Sequence, residues 1–357
     1  MTQMKLGLGL YRHMLTPEYF RFAQQCGCTH IVAHLTDYFA SEDSIVQATD
    51  EKVNWGFARA GDSIWSQESL RALQDLAGEF GLTIYALENF SPADWYDVLL
   101  AGPRRDEQLE HLKQLVRSAG ACGIKAIGYN FSIAGVWGHQ RKNVARGGAE
   151  SVSFNADELP VNAPIPRGEI WNMTYAQGLE GQIAPFPHDE LWARLKVFLD
   201  ALLPVAEEAG VDLALHPDDP PMPTLRGTPR LVYRPEMYQR LIDLNNSPSN
   251  KLEMCLGTLQ EMEGMSVYDA IDAYAGQGRV SYVHVRNVRG KVPNYHEVFI
   301  DEGDIDVLRA LKQLDSHGFD GVLIPDHTPL VESAAPWHAG MAYALGFLRA
   351  VLMQLGG

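Results

Sequence analysis

The chain has 357 residues, 46% of them hydrophobic and 21% charged, a balance that suits a globular protein with a large core and excludes a disordered or fibrous one. A formal charge of -16 and a pI near 5.1 place a negative field over most of the surface, with no Lys/Arg-rich tract to offset it, so nucleic acid and membranes are not expected partners. An acidic substrate would need its carboxylate captured by a few local Arg or Lys residues or by a metal.

Residues 1–11 run directly into apolar alternation without the basic region and cleavage site of a signal peptide, and no run reads as the roughly 20 apolar residues of a bilayer span. The four cysteines, Cys26, Cys28, Cys122 and Cys255, form no CxxC pair and are too few for a disulfide framework. A reducing, cytoplasmic setting is expected.

In chain order, short β-branched or apolar runs fall at 6–11, 30–35, 82–88, 125–131, 212–217, 251–256, 280–286 and 321–327. Between them lie segments such as 66–80 and 105–121, where apolar residues recur at i, i+3 and i+4 as on one face of a helix. Gly27, Gly81, Gly123, Gly210 and Gly318 each stand where a helical stretch stops just before a strand. Eight such βα units predict an α/β fold closed as a (β/α)8 TIM barrel, one domain over 1–357. Residues 132–187, rich in Gly, Asn and Pro, far exceed a βα loop of about 2–6 residues and are expected to form an insertion over the active-site face. A linker between two domains is the alternative, but Trp137, Trp171, Tyr175 and Phe186 suggest a segment that packs. A smaller insertion is expected at about 36–62.

In a barrel of this kind chemistry gathers where the strands end. The fifth strand ends in His216-Pro217-Asp218-Asp219-Pro220-Pro221, the sixth carries Met254-Cys255, the seventh His284-Val285-Arg286, and the eighth Pro325-Asp326-His327. His216, Cys255, His284 and Asp326 offer a mixed N/S/O ligand set suited to Mn, Fe, Co or Zn, with a position left for substrate. Individually each has a plain structural reading: a buried thiol, a core histidine, a helix-capping carboxylate.

These motifs, with Pro229-Arg230, His296-Glu297 and Gly303-Asp304, follow in order and spacing the pattern of the mannonate dehydratases, which the chain strongly resembles; Asn130-Phe131, Trp65 and Glu88 extend the likeness into the first half. The resemblance implies a metal-dependent hydro-lyase of hexuronate catabolism that converts D-mannonate, or a closely related sugar acid, to 2-dehydro-3-deoxy-D-gluconate and water. It implies metal binding by His216, Cys255, His284 and Asp326, with Mn2+ or Fe2+ preferred over Co2+ or Zn2+. His327 is then the acid/base residue, and Arg286, Arg230, His296, Asn130 and Asp218 contact the substrate.

Where the family carries a Pro-Gly-Tyr whose tyrosine takes part in proton transfer, this chain reads Pro336-Trp337-His338, so His338 is expected to replace it. A metal-dependent sugar isomerase or epimerase and a non-catalytic sugar-acid-binding protein are the alternatives. Association into a homo-oligomer is expected, with the aromatic segment 94–98 as a candidate contact.

Overall fold

The computed structural model describes residues 2–39 and 56–356. Eight parallel strands close on themselves: β1 Lys5–Leu10, β2 His30–Ala33, β3 Thr83–Glu88, β4 Ala126–Tyr129, β5 Asp212–Leu215, β6 Asn250–Cys255, β7 Val280–His284 and β8 Val322–Ile324. Each pairs with the next, and β8 returns to β1 through Lys5 opposite Val322, the order expected for a TIM barrel. The β/α alternation was legible because these strands are buried on both faces and read as apolar runs. Except for β3, which ends at Glu88 as predicted, their C-terminal ends leave the ladder one to three residues earlier than the apolar runs suggest. There His216, Pro325, Asp326 and His327 turn to the site.

Helices cover the barrel. Arg105–Ala121 has the predicted limits, and Gln67–Gly78 starts one residue late because Ser66 caps it, its side chain accepting from the Ser69 N–H. Gly210, closing the helix His188–Ala209, stands at φ +66°, the left-handed conformation that stops a helix. The last helix, Pro336–Gly356, is long and apolar enough by composition to cross a bilayer. Its buried residues Gly340, Met341, Ala344, Leu345, Leu348 and Val351 form the single stripe of a helix packed on a barrel.

The interior of the barrel holds Val32, Ala86, Ala126, Ala214, Tyr282, Val322 and Ile324. Small residues leave room for polar ones above them. A Cβ at Gly128 would lie 1.9 Å from the Tyr282 hydroxyl and 2.3 Å from Glu253 Oε2, so only glycine admits those groups to the barrel axis.

Within residues 132–187, the strands Gln140–Ala145 and Ala149–Asn155 join Asn294–Val298 and Asn287–Lys291 in a four-stranded antiparallel sheet. Trp171 and Phe154 are buried there. Of the smaller predicted insertion, 40–55 lie outside the described residues. The segment 94–98, expected as an exposed contact, lies instead in the helix Pro92–Leu100, where Trp95 packs against Phe90, Phe131 and Phe198. Its aromatic content serves the core.

Candidate metal centre and active site

Register brings the predicted ligands together. Cys255 and His284 end neighbouring strands directly opposite each other, and Leu215, one residue before His216, pairs with Leu252 on the same strand as Cys255. One donor atom from each of His216, Cys255 and His284 falls within 4.8 Å of the others. His216 Nδ1 donates to the Pro217 carbonyl at 2.6 Å, which leaves Nε2 as the ring's ligating atom once its proton is lost. His284 Nε2 faces Glu253 Oε1 at 3.0 Å and Glu88 Oε2 at 3.4 Å, while Nδ1 looks toward Asp326 Oδ2 at 3.6 Å. The ring is thus held from behind by carboxylates, as metal-bound histidines usually are.

Glu88, Glu253 and His284 also converge as a candidate ligand group. Burial, then the charge of Glu88, pushes Glu253 up to about 8, so it carries its proton at neutral pH beside the His284 ring. Cys255 behaves oppositely. Burial raises its thiol, but the Arg286 guanidinium and hydrogen bonds from His216 and His284 outweigh that and hold it at about 5. Its Sγ also accepts from the Thr258 N–H at 3.5 Å, at the start of the helix Leu256–Glu261. A thiolate and two imidazoles at one point fit a borderline divalent cation, and Asp326, the fourth predicted ligand, lies outside that group with its Oδ2 3.6 Å from His284 Nδ1. His216 is itself raised to about 9: burial lowers it, and Glu253 and Cys255 more than reverse this. Binding a cation would displace that proton.

Arg286 is the hub behind these ligands and does not reach the cavity. Its Nε donates to Asp326 Oδ2 at 3.1 Å, Nη1 to Glu261 Oε1 at 2.5 Å and Nη2 to Asp219 Oδ2 at 2.6 Å, with Glu297 Oε1 3.3 Å from Nη1. A Cβ at Gly257 would lie 2.5 Å from Arg286 Cγ, so the glycine makes room for the guanidinium stem. Fully engaged by protein carboxylates, Arg286 orients Asp326 rather than holding a substrate carboxylate.

Arg230 corrects the same expectation. It is fully buried, donating to Ser132 Oγ and to the carbonyls of Gly135 and Asp219, and pairing through Nε with Asp218 Oδ1 at 3.0 Å. Asp218 in turn accepts from the Leu231 and Val232 N–H groups. Both residues brace the loop after β5 and do not line the cavity. His296 misses the cavity for a reason of strand alternation: Tyr295 takes the inward position, its hydroxyl donating to Asp219 Oδ1 at 2.8 Å, and His296 points the other way. His338 lies on the outer helix, stacked on Tyr19 at 5.3 Å and edge-on to Phe22 at 4.9 Å, and does not line the cavity, where a proton donor to substrate would have to stand.

A cavity of about 820 Å³ opens over the ligands, and Asn130, His216, His284, Asp326 and His327 line it. Its walls also include His34, Tyr38, Glu88 and His139, of which only Glu88 stood out in the sequence. His327 Nδ1 lies 2.8 Å from Glu297 Oε1. Burial lowers the His327 pKa, but Asp326 and Glu297 together raise it to about 10. His34 shifts the other way, lowered chiefly by burial, with its Nε2 3.6 Å from Glu88. No single-residue signal marks His34 or His139; their positions on a strand end and in a distant loop become meaningful only when both meet the cavity.

The family model for D-mannonate dehydratase (UxuA) matches residues 40–351. The chain belongs to the mannonate dehydratase family. Its class is that of the hydro-lyases. Mannonate dehydratase 2 of Halalkalibacterium halodurans is 30% identical over 297 residues, covering 79% of this chain and 85% of its own. The mannonate dehydratase of Lactococcus lactis subsp. lactis is 28% identical over 305 residues, covering 79% and 84%. The crystal structure of mannonate dehydratase from Streptococcus suis serotype 2 superposes with a TM-score of 0.76 at 26% identity, over 100% of this chain and 95% of that one. An L-ribulose 3-epimerase superposes at a TM-score of 0.57 with 15% identity, over 98% and 95%, a likeness of fold alone.

Proposed function

We propose that this family member dehydrates D-mannonate, or a closely related sugar acid, to 2-dehydro-3-deoxy-D-gluconate or the corresponding 2-keto-3-deoxy acid, using a divalent metal held by His216, Cys255, His284 and Asp326. The observation that carries the reading is the convergence of His216, Cys255 and His284 within 4.8 Å on neighbouring strand ends, in a chain that matches the family over 40–351. Mn2+ or Fe2+ is the preferred ion by the family resemblance, while the mix of imidazole, thiolate and carboxylate by itself also admits Co or Zn.

When bound, the cation supplies a Lewis acid that takes up charge developing on the substrate carboxylate. His327, held protonated beside Asp326 and Glu297, acts as the acid that protonates the C3 hydroxyl as it leaves. His34, neutral at the same pH, is the base for the C2 proton. Two groups whose surroundings push their pKa values apart make a natural acid and base pair. Asn130 orients substrate hydroxyls from the wall. On this reading the chain works as one domain, with 132–187 roofing the cavity through Trp137 and His139. A reducing, cytoplasmic compartment keeps Cys255 competent as a ligand.

The test strips the purified protein of metal, restores Mn, Fe, Co or Zn singly, and assays 2-keto-3-deoxy acid from a panel of aldonic acids. Metal-dependent product from D-mannonate is expected. Metal binding without product from any acid would overturn the reading.

A further inference from the structure

With Arg286 and Arg230 saturated by protein groups, the cations first expected to receive the acid do not face it, whereas Arg226 stands in the cavity wall. Arg226 and Gly227 form the turn between the short strands Thr224–Leu225 and Thr228–Pro229, with φ +52° and +73°. Such two-residue turns favour Asn-Gly, and an arginine there carries a conformational cost that surrounding structure must offset. Here the backbone N–H donates to the Val161 carbonyl at 2.6 Å. Nη2 donates to the Pro164 carbonyl at 3.2 Å and Nε to that of Ala163 at 3.4 Å, and the guanidinium lies 5.5 Å from the Trp137 ring centroid.

The side chain is only 12% exposed, and the facing carboxylate, Glu169, is 3.8 Å away, beyond hydrogen-bond distance. Burial lowers the guanidinium pKa; two carbonyls and a loose carboxylate return only part of its lost hydration. Glu169 lines the same cavity. A guanidinium beside a carboxylate presents donors and an acceptor together, the pattern that reads hydroxyl groups, each of which both accepts and donates. Both residues come from loops and the 132–187 segment, not from the strand ends that bear the metal ligands.

We propose that Arg226 and Glu169 form a specificity subsite for the polyol tail of the substrate, selecting six-carbon aldonic acids over shorter ones. This rests on the sugar-acid reading given above. Arg226→Met keeps the stem against Trp137 and removes the donors; Glu169→Gln removes the acceptor; Arg226→Lys keeps charge without the planar fork.

The metal-loaded enzymes are compared on D-mannonate and on a four-carbon aldonic acid of matching C2 and C3 configuration, by steady-state kinetics and by calorimetric Kd. Arg226→Met is expected to cut the kcat/KM ratio of the long to the short acid by about tenfold or more, with KM and Kd of D-mannonate carrying the loss and Arg226→Lys restoring part of it. Equal losses on both acids would reduce Arg226 to a brace for residues 163–164, and an unchanged ratio would remove the subsite altogether. Wild-type enzyme that binds the acids without turning them over would sink the dehydratase reading, while the Kd ratios would still decide the subsite. Wild-type enzyme that binds neither acid overturns both.

Discussion

Cys255 and His327 show how a residue's chemistry is set by what surrounds it. The thiol of Cys255 is held at about 5 and the His216 ring at about 9, so between those values the centre contains a thiolate and an imidazole still carrying its displaceable proton. The sign for metal binding follows. Affinity should rise with pH from about 5 toward 9 as the His216 proton becomes easier to expel, and should collapse below about 5 where the thiol itself protonates. Calorimetry in buffers of different ionisation enthalpy reads the released proton, and a pH-independent affinity would refute the assignment.

Cys255→Ala should lower metal content sharply with the far-UV circular dichroism retained; unchanged stoichiometry by elemental analysis would remove Cys255 from the ligand set. His327→Asn should keep its metal and lose roughly 10²–10⁴ in kcat, the usual worth of a general acid. His34→Gln should do the same and also abolish exchange of the C2 proton with solvent deuterium. Full activity in the His327 variant would demote that residue to orienting Asp326.

At the scale of elements, the helix Pro336–Gly356 and the sheet over the cavity were the points where pattern and position parted. His338 has the right place in sequence for a proton donor, but the helical rotation of about 100° from the cavity-lining Trp337 carries it against Tyr19 and Phe22. His338→Ala should therefore leave the pH dependence of kcat intact and cost about 1 kcal/mol of stability by loss of ring contacts, measured by denaturant unfolding. A shifted pH profile would return His338 to the site. Likewise Arg286 and Arg230 follow motifs that suggested substrate contact, and their burial among carboxylates and carbonyls shows that they position the loops that do the contacting.

For the whole molecule, the site gathers more anionic groups than its own cations balance: Asp326, Glu88, Asp219, Glu297 and the Cys255 thiolate lie around Arg286 and the histidines. A bound divalent ion would relieve that repulsion and bind only the folded chain. Chelation should leave a folded barrel that melts lower, and metal at about 100 times its Kd should stabilise it by about 2.7 kcal/mol. Calorimetric scans with and without chelator make the comparison, and superimposable transitions would mean that the donors hold no metal.

The barrel itself was determined by sequence alone, because eight strands buried on both faces must read as apolar runs, and the helices between them must carry apolar stripes at helical spacing. The convergence of His216, Cys255 and His284 was legible for a related reason: residues that end neighbouring strands of a closed barrel lie side by side. His34, directly after β2, shares that strand-end position and was still not singled out, while His139 from the segment after β4, Arg226 from a two-residue turn and Glu169 from the short strand Glu169–Ile170 carried no such signal. Only closure of the chain around one cavity decided which of them meet. Tertiary structure also decided which arginines face substrate, since a guanidinium serves a ligand or a buried carboxylate according to what lies within reach of its five N–H groups.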